Sequence, residues 1–362
     1  MRRRKGLGGA FFAIVIAVVL AVALFAYLRL HQSEGVKFAM NMNPGWNLAN
    51  TLDAYGLGRG AGTPEVYETY WGSAPVTQAY LHTIAVAGFR TLRVPVTWFE
   101  HMDEEHRIQE PWLNRVQAVV DMALREGMYV ILNAHHDAWY TPNPATLDRA
   151  VSTLQAVWGQ IADRFAAYGD HLLFESMNEP RLIGDPTEWT GGTLQTRECV
   201  NCLNAAFVAT VRAAGEHNAS RYLLLPAYAA GIQADSLAAL ALPNDSRLMV
   251  SAHLYAPYDF ALNEAGTSQW SSAVDEDTRE IRDAFDRLTR LFTSRGIPVV
   301  LTEFGAVDKH NEAARTAWAS YVTDQAFAAH IPCVWWDTSL WSPDDRAWRY
   351  PDLLTALTRR GM

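Results

Sequence analysis

Leu172–Pro180 reads LLFESMNEP. A short, largely apolar run stops at Asn178, Glu179 and a proline, which cannot donate to a sheet. Runs of this kind suit strands buried on both faces of a parallel sheet. The pattern recurs in both directions along the chain. Strands are predicted near Gly45–Leu48, Thr91–Val96, Tyr129–Ala134, Leu172–Met177, Tyr222–Pro226, Leu248–His253, Pro298–Thr302 and Cys333–Trp336. Helices are predicted between them at Thr77–Ala87, Trp112–Glu126, Ala145–Ala167, Thr196–Glu216, Asp275–Ser294 and Glu312–Ala329, with short ones at Ser236–Leu240 and Pro351–Arg359. Gly127, Gly215 and Gly296 stand where helix C-caps belong.

Eight β-then-α units in order predict an α/β fold, a single-domain (β/α)8 TIM barrel over residues 41–362. A doubly wound open sheet is the alternative, but no Gly-rich phosphate turn follows the first strand. Gly58-Arg59-Gly60-Ala61-Gly62 follows no strand and opens no clear helix, so it reads as a flexible loop. No internal repeat or Pro/Ser-rich linker interrupts the chain after residue 40.

Of 362 residues, 49% are hydrophobic and 19% charged, which excludes a disordered chain. Lys and Arg number 30 against 39 Asp and Glu, a net charge of -9. That balance argues against nucleic acid as a partner. Three cysteines are too few for a disulfide scaffold. Cys199 and Cys202 read as small helical side chains or as an extracellular disulfide.

Arg2, Arg3, Arg4 and Lys5 precede an uncharged stretch from Gly6 to Leu28. Ala10–Leu28 is long enough to cross a ~30 Å hydrocarbon core as a helix. The basic flank should remain cytoplasmic, leaving the rest of the chain outside. Residues 1–30 therefore read as an N-terminal transmembrane helix acting as a membrane anchor. A cleaved signal sequence is the rival, although its apolar region is usually shorter. Residues 31–40 read as a linker.

In a barrel, reactive groups sit at the C-terminal ends of the strands. Here those ends carry Arg93, His135-His136-Asp137, Asn178-Glu179, His253-Leu254-Tyr255, Glu303 and Trp336-Asp337. Glu179 and Glu303, on the fourth and seventh strands, would face one another across the barrel mouth. Paired carboxylates across a cleft are what glycosidic cleavage needs. One gives a proton to the leaving oxygen and needs a raised pKa; the other stays ionised and attacks. Arg93 would help keep the attacking carboxylate ionised. His135 and His253 could orient a carboxylate or a sugar hydroxyl. Adjacent strand residues point to opposite faces, so His135 and His136 cannot easily share one metal, and neither a metal nor another cofactor is expected.

Thirteen Trp is a high count. Trp46, Trp98, Trp139, Trp189, Trp336 and Trp341 fall at strand ends or in the loops after them. About half of these six are expected to stack on sugar rings and half only to pack.

These residues carry a resemblance. GWNLANTLDA at Gly45–Ala54 resembles the first-strand motif of glycoside hydrolase family 5, the endoglucanase-type cellulases. TLRVPVTW (Thr91–Trp98), NAHHD (Asn133–Asp137), FESMNEP (Phe174–Pro180), SAHLYAPY (Ser251–Tyr258), LTEFG (Leu301–Gly305) and VWWD (Val334–Asp337) match that family in order. The resemblance implies hydrolysis with retained anomeric configuration, with Glu179 as acid/base and Glu303 as nucleophile. It implies Asn178 as partner of the sugar 2-hydroxyl and Arg93, His135, His253 and Tyr255 as the polar surroundings. Trp336 becomes the platform under the sugar being cleaved. His136, Asn50 and Asp53 become contacts toward the non-reducing side; apart from the resemblance, Trp46, Trp98 and Trp189 are expected as aromatic contacts from their places near strand ends. Ala49 replaces a usual Gly, and Asp337-Thr338-Ser339 replaces Asp-Asn-Gly.

The expected function is a monomeric, extracytoplasmic retaining endo-β-1,4-glucanase that cleaves β-glucan and is tethered to the cell membrane. A β-mannanase, xyloglucanase or mixed-linkage glucanase of the same fold remains open, as does a tethered glycan-binding protein without turnover.

Overall fold

A computed structural model describes residues 33–336, 339–342, 345 and 347–361. The expected membrane segment over residues 1–30 lies outside them, as do Asp337 and Thr338. Among the described residues no helix is long and apolar enough to cross a membrane.

Eight parallel strands close into a barrel in sequence order. They are β1 (Gly45–Asn47), β2 (Thr91–Val94), β3 (Tyr129–Asn133), β4 (Leu172–Glu175), β5 (Leu223–Pro226), β6 (Leu248–Leu254), β7 (Val299–Phe304) and β8 (Cys333–Trp335). Closure pairs Gly45 with Val334 and Trp46 with Trp335. A Cβ at Gly45 would stand 2.8 Å from the Val334 side chain, so this seam requires glycine.

The helices are α1 (Glu34–Asn41), α2 (Pro64–Glu68), α3 (Gln78–Val86), α4 (Glu110–Arg125), α5 (Leu147–Arg164), α6 (Leu194–Ala213), α7 (Ala234–Ala239), α8 (Tyr258–Ala261), α9 (Asp275–Leu291), α10 (Glu312–Ala328) and α11 (Pro351–Thr358). The larger ones lay apolar stripes on the barrel wall. Trp158 of α5, for example, packs on Phe174 and Phe207.

The linker expected over residues 31–40 is corrected: most of it is helix α1. Ser33 caps that helix by accepting from the Val36 amide, and its hydroxyl donates to Gly296 O. Phe38, Ala39 and Met42 then pack on Ile131, Leu173, Leu224, Met249, Val300 and Val334, which fill the lower barrel. The segment folds because the barrel base offers its apolar face a partner.

Side chains two residues apart on a strand share a face. Two steps above the apolar filling, the same interior turns polar, with Asn133, Glu175, Ser251 and Thr302, all buried. Asn133 lies beside Glu175 in the β3–β4 register, and Asn47 beside Arg93 in β1–β2. The register slips between Ala252 and His253, which sets His253 opposite Glu303.

Candidate active site

Arg93 is the hub of this polar layer and is fully buried. Its Nε donates to Glu175 Oε2 at 2.7 Å, and its Nη1 to Glu303 Oε1 at 2.6 Å and to Asn47 Oδ1 at 2.9 Å. Its Nη2 donates to Asn178 Oδ1 at 2.7 Å. One guanidinium thus fixes two carboxylates and two amides drawn from three strands and the end of β4. Asn47 is itself held by donating to Thr302 O at 2.9 Å. Glu175 accepts further bonds from Asn133 Nδ2 at 3.0 Å and from the Ser251 hydroxyl. A carboxylate with no exposure persists because three donors satisfy it.

Glu303 leaves this floor pointing upward, 5% exposed. Its second oxygen accepts from the Tyr255 hydroxyl at 2.9 Å. Glu179 stands across from it, and one oxygen of each carboxylate lies within 4.8 Å of the other. His253 sits between them, with Nδ1 2.9 Å from Glu179 and 3.5 Å from Glu303.

The neighbouring charges set the direction in which each group shifts. Arg93 pairs with Glu175 and Glu303, while Arg181 and His253 pair with Glu179. Burial alone would lower His253, but the charge of Glu303 and the bond and charge of Glu179 raise it above its ordinary value. Burial pushes Glu179 up, yet the His253 bond and charge, with Arg181 and Arg93, hold it below the usual carboxylate value. In this arrangement the raised pKa expected of the acid is not seen, and His253 Nδ1 stands 2.9 Å from Glu179 Oε1. Burial, together with the Glu303 charge, keeps the Tyr255 hydroxyl protonated, so it can only donate to that carboxylate.

Burial keeps His135 neutral and lowers His136 to about 4. Both can therefore meet sugar hydroxyls without charge. His135 lies parallel to Trp336, with centroids 5.6 Å apart. Asn178 spends its oxygen on Arg93, which leaves its amide nitrogen as an unspent donor among the described residues. Asn50 is exposed at the end of β1 in the left-handed region, φ 58°. Trp189 is exposed in the loop after β4.

Three expected contacts belong elsewhere. Trp46 follows the outward parity of β1, since Asn47 points inward, and it packs on Phe89 and Trp348 outside the barrel. Trp98 is fully buried, and its indole nitrogen donates to Asn133 O at 3.0 Å. Asp53 has no exposed surface; its oxygens accept the Thr51 amide at 2.7 Å and the Asn50 amide at 3.2 Å. It shapes the β1 loop instead of facing a ligand. Trp341 joins the Trp46 cluster through Trp348.

Two sets of side chains have metal-like spacing, Glu179–His253–Glu303 and Asp53–His135–His136. In the first the histidine nitrogen is already bonded to Glu179, and in the second both Asp53 oxygens are committed to backbone amides. Both sets are better accounted for as hydrogen-bonded networks.

Several residues at the site were not predicted. Glu175 and Asn47 build the floor. Tyr55 and Trp71, both exposed, lie edge-on to one another at 5.2 Å and flank His136 at 5.1 and 5.6 Å. The Tyr55 loop is fixed by Glu100, which accepts the Gly56 and Gly58 amides, and the Trp71 loop is closed by Glu68, which accepts the Val76 amide. Arg181 reaches back from the β4 loop to Glu179 Oε2 at 3.3 Å.

Comparison with known proteins agrees with this geometry. The family model for cellulase (glycosyl hydrolase family 5) matches residues 57–341. Endoglucanase A of Clostridium longisporum is 40% identical over 307 residues, 84% of this chain and 59% of its own length. The chain thus spans well under two thirds of that relative. Endoglucanase 1 of Ruminococcus albus is 41% identical over 86% of this chain and 78% of its own. Among solved structures, a family 5 lichenase from Caldicellulosiruptor sp. F32, as an E188Q mutant complexed with cellotetraose, superposes with a TM-score of 0.86 at 38% identity, covering 91% of this chain and 95% of that one. A broad-specificity endoglucanase from Ruminococcus champanellensis with bound cellotriose gives 0.85 at 39% identity, covering 90% and 98%. A fold closed around Arg93, two facing carboxylates and matches of this extent lead to one conclusion: the chain belongs to glycoside hydrolase family 5.

Proposed function

We propose that the chain is a retaining endo-β-1,4-glucanase acting on cellulose-type and related soluble β-glucans. One observation carries the reading: the oxygens of Glu179 and Glu303 approach within 4.8 Å. Retaining glycosidases set their carboxyl groups about 5–5.5 Å apart, whereas inverting ones leave about 6.5–9.5 Å for a water.

Glu303, ionised beside Arg93, attacks the anomeric carbon and forms a glycosyl ester as the bond to the leaving oxygen breaks. Glu179 in its protonated form gives its proton to that oxygen. Once Glu303 is an ester its charge is gone, and Glu179, again a carboxylate, removes a proton from water, which attacks the same carbon and frees Glu303. The Tyr255 hydroxyl holds the second Glu303 oxygen in line throughout.

The choice of glucan is read broadly. Similar chains include proteins described as a lichenase and as a xyloglucan-specific endo-β-1,4-glucanase. Hydrolysis of carboxymethylcellulose, barley mixed-linkage glucan, xyloglucan and mannan, compared by kcat/KM, tests this. Cleavage of the first three with the β-anomer released first is expected. Turnover of mannan alone, or α-anomer first, would overturn the reading.

We also propose that residues 1–30 hold the enzyme at the outer face of the cell membrane. The basic cluster and the apolar stretch support this. Membrane fractionation with N-terminal sequencing should recover the intact N-terminus in the membrane pellet; a processed N-terminus in the medium would contradict it.

A further inference from the structure

The loop after β4 holds one basic side chain that the reaction above does not use. Arg181 makes four contacts at once, one of them Nη1 donating to the Glu179 backbone carbonyl at 3.2 Å. The same Nη1 also donates to Glu179 Oε2 at 3.3 Å, a long contact. Its Nε donates to Glu188 Oε1 at 2.9 Å, and Glu188 is itself anchored by the Gly184 amide at 2.7 Å. Its guanidinium lies over the Trp189 ring, 4.4 Å from the centroid. Trp189 is 55% exposed, so the stack leaves much of the indole open to solvent. Arg181 Nη2 has no hydrogen-bond partner among the described residues. An open indole beside a free planar donor suits a pyranose, whose C–H surface stacks on the ring while a hydroxyl accepts from the guanidinium. This platform adjoins Glu179, whereas Tyr55, Trp71 and His136 group together at the ends of β1 and β3.

We propose that Arg181, stacked on Trp189 and touching the Glu179 carboxylate, builds a sugar site on the leaving-group side and makes Glu179 responsive to its occupation. The inference rests on the glucanase reading above. A sugar on Trp189 draws the guanidinium toward its hydroxyls and lengthens the contact to Glu179. A cation then withdraws from the acid as a leaving group arrives that needs its proton. Coupling of this kind is reciprocal: a protonated Glu179 favours leaving-side binding in turn. The other groups facing Glu179 are His253 and Tyr255 from the end of β6, Glu303 from β7, Arg93 from β2 and Tyr140 from the β3 loop. None of them contacts Trp189, so Arg181 is the positioning residue that joins the two.

The test compares two substrates in wild-type enzyme, Arg181→Met and Arg181→Lys. Cellotetraose departs as a sugar and needs both the platform and the proton. 2,4-Dinitrophenyl β-cellobioside departs as a stable phenolate and needs neither. In Arg181→Met, the ratio of kcat/KM for cellotetraose to that for the aryl cellobioside should fall at least about tenfold. The basic limb of the cellotetraose pH profile should rise by about 0.5–1 unit, because a partly exposed cation near Glu179 is gone. Arg181→Lys keeps the charge but not the planar stack; its basic limb should stay near wild type while its KM for cellotetraose rises. Equal losses on both substrates with no shift of the limb would mean that Arg181 only braces the loop, and would overturn the proposal. Wild-type enzyme that cleaves neither substrate would instead defeat the glucanase reading.

Discussion

The two ends of the barrel interior are built from the same strands with opposite chemistry. At the base, Ile131, Leu173, Met249 and Val300 pack under helix α1. One inward step higher on those strands stand Asn133, Glu175, Ser251 and Thr302, tied to Arg93 and through it to Glu303. Burying an ion network has a desolvation cost of several kcal/mol per charge, so the top layer is a poor source of stability. The apolar base and the outer shell provide it. Rigidity at the top comes from reciprocal satisfaction, each charged group being fixed by at least two partners. The fold thus separates what keeps it closed from what makes it react, along a single strand direction.

Substitutions at the two ends should fail in different ways, and the widest gap is expected at the top. Glu303→Gln should lower kcat on soluble glucan by at least about 10⁴-fold, since no other carboxylate can form the ester. Glu179→Gln should cost about 10²–10⁴-fold on glucan, and less on an aryl glycoside whose leaving group needs no proton. Glucan turnover in either variant at the wild-type rate would erase the distinction between the two ends.

Leu173→Ala at the base should act on stability alone. A loss of about 2–5 kcal/mol in denaturant unfolding is expected, with kcat/KM of the folded fraction within about twofold of wild type. A large loss of activity without destabilisation would mean that the base also shapes the site. Smaller and more discriminating is a pair of tryptophans. Trp46→Ala should destabilise by about 3–5 kcal/mol and leave KM alone. Trp71→Ala, on the surface, should raise KM several-fold and barely move Tm. The reverse outcome would return Trp46 to the cleft.

Much of this division was legible in the sequence. Strands buried on both faces read as continuous apolar runs, so every strand was located within about two residues of its observed bounds. Glu179 and Glu303 stood out because acids at the ends of such runs need a reason. Trp46 was misplaced because proximity to a strand end was weighed ahead of parity: Asn47 faces inward, so its neighbour cannot. Glu175 sits inside a quoted motif, yet its role depends on Arg93, 82 positions earlier, and no local pattern shows that they meet. Tyr55 and Trp71 lie in two loops whose paths are set by buried carboxylates, Glu100 and Glu68, bonding to backbone amides, which composition does not reveal. Helix α1 had one usable signal, a Ser33 N-cap followed by Glu34. Its short length and its place after an apolar stretch made it look like a connector.

The central claim is that Glu303 forms a covalent bond to the sugar while Glu179 serves it across less than 5 Å. Incubation with 2,4-dinitrophenyl 2-deoxy-2-fluoro-β-cellobioside, followed by peptide mass spectrometry, measures that bond directly. One fluorocellobiosyl group per chain, on the peptide carrying Glu303 and absent in Glu303→Gln, is the predicted result. An enzyme that hydrolyses glucan but remains unlabelled, or carries the label on another residue, would contradict the account.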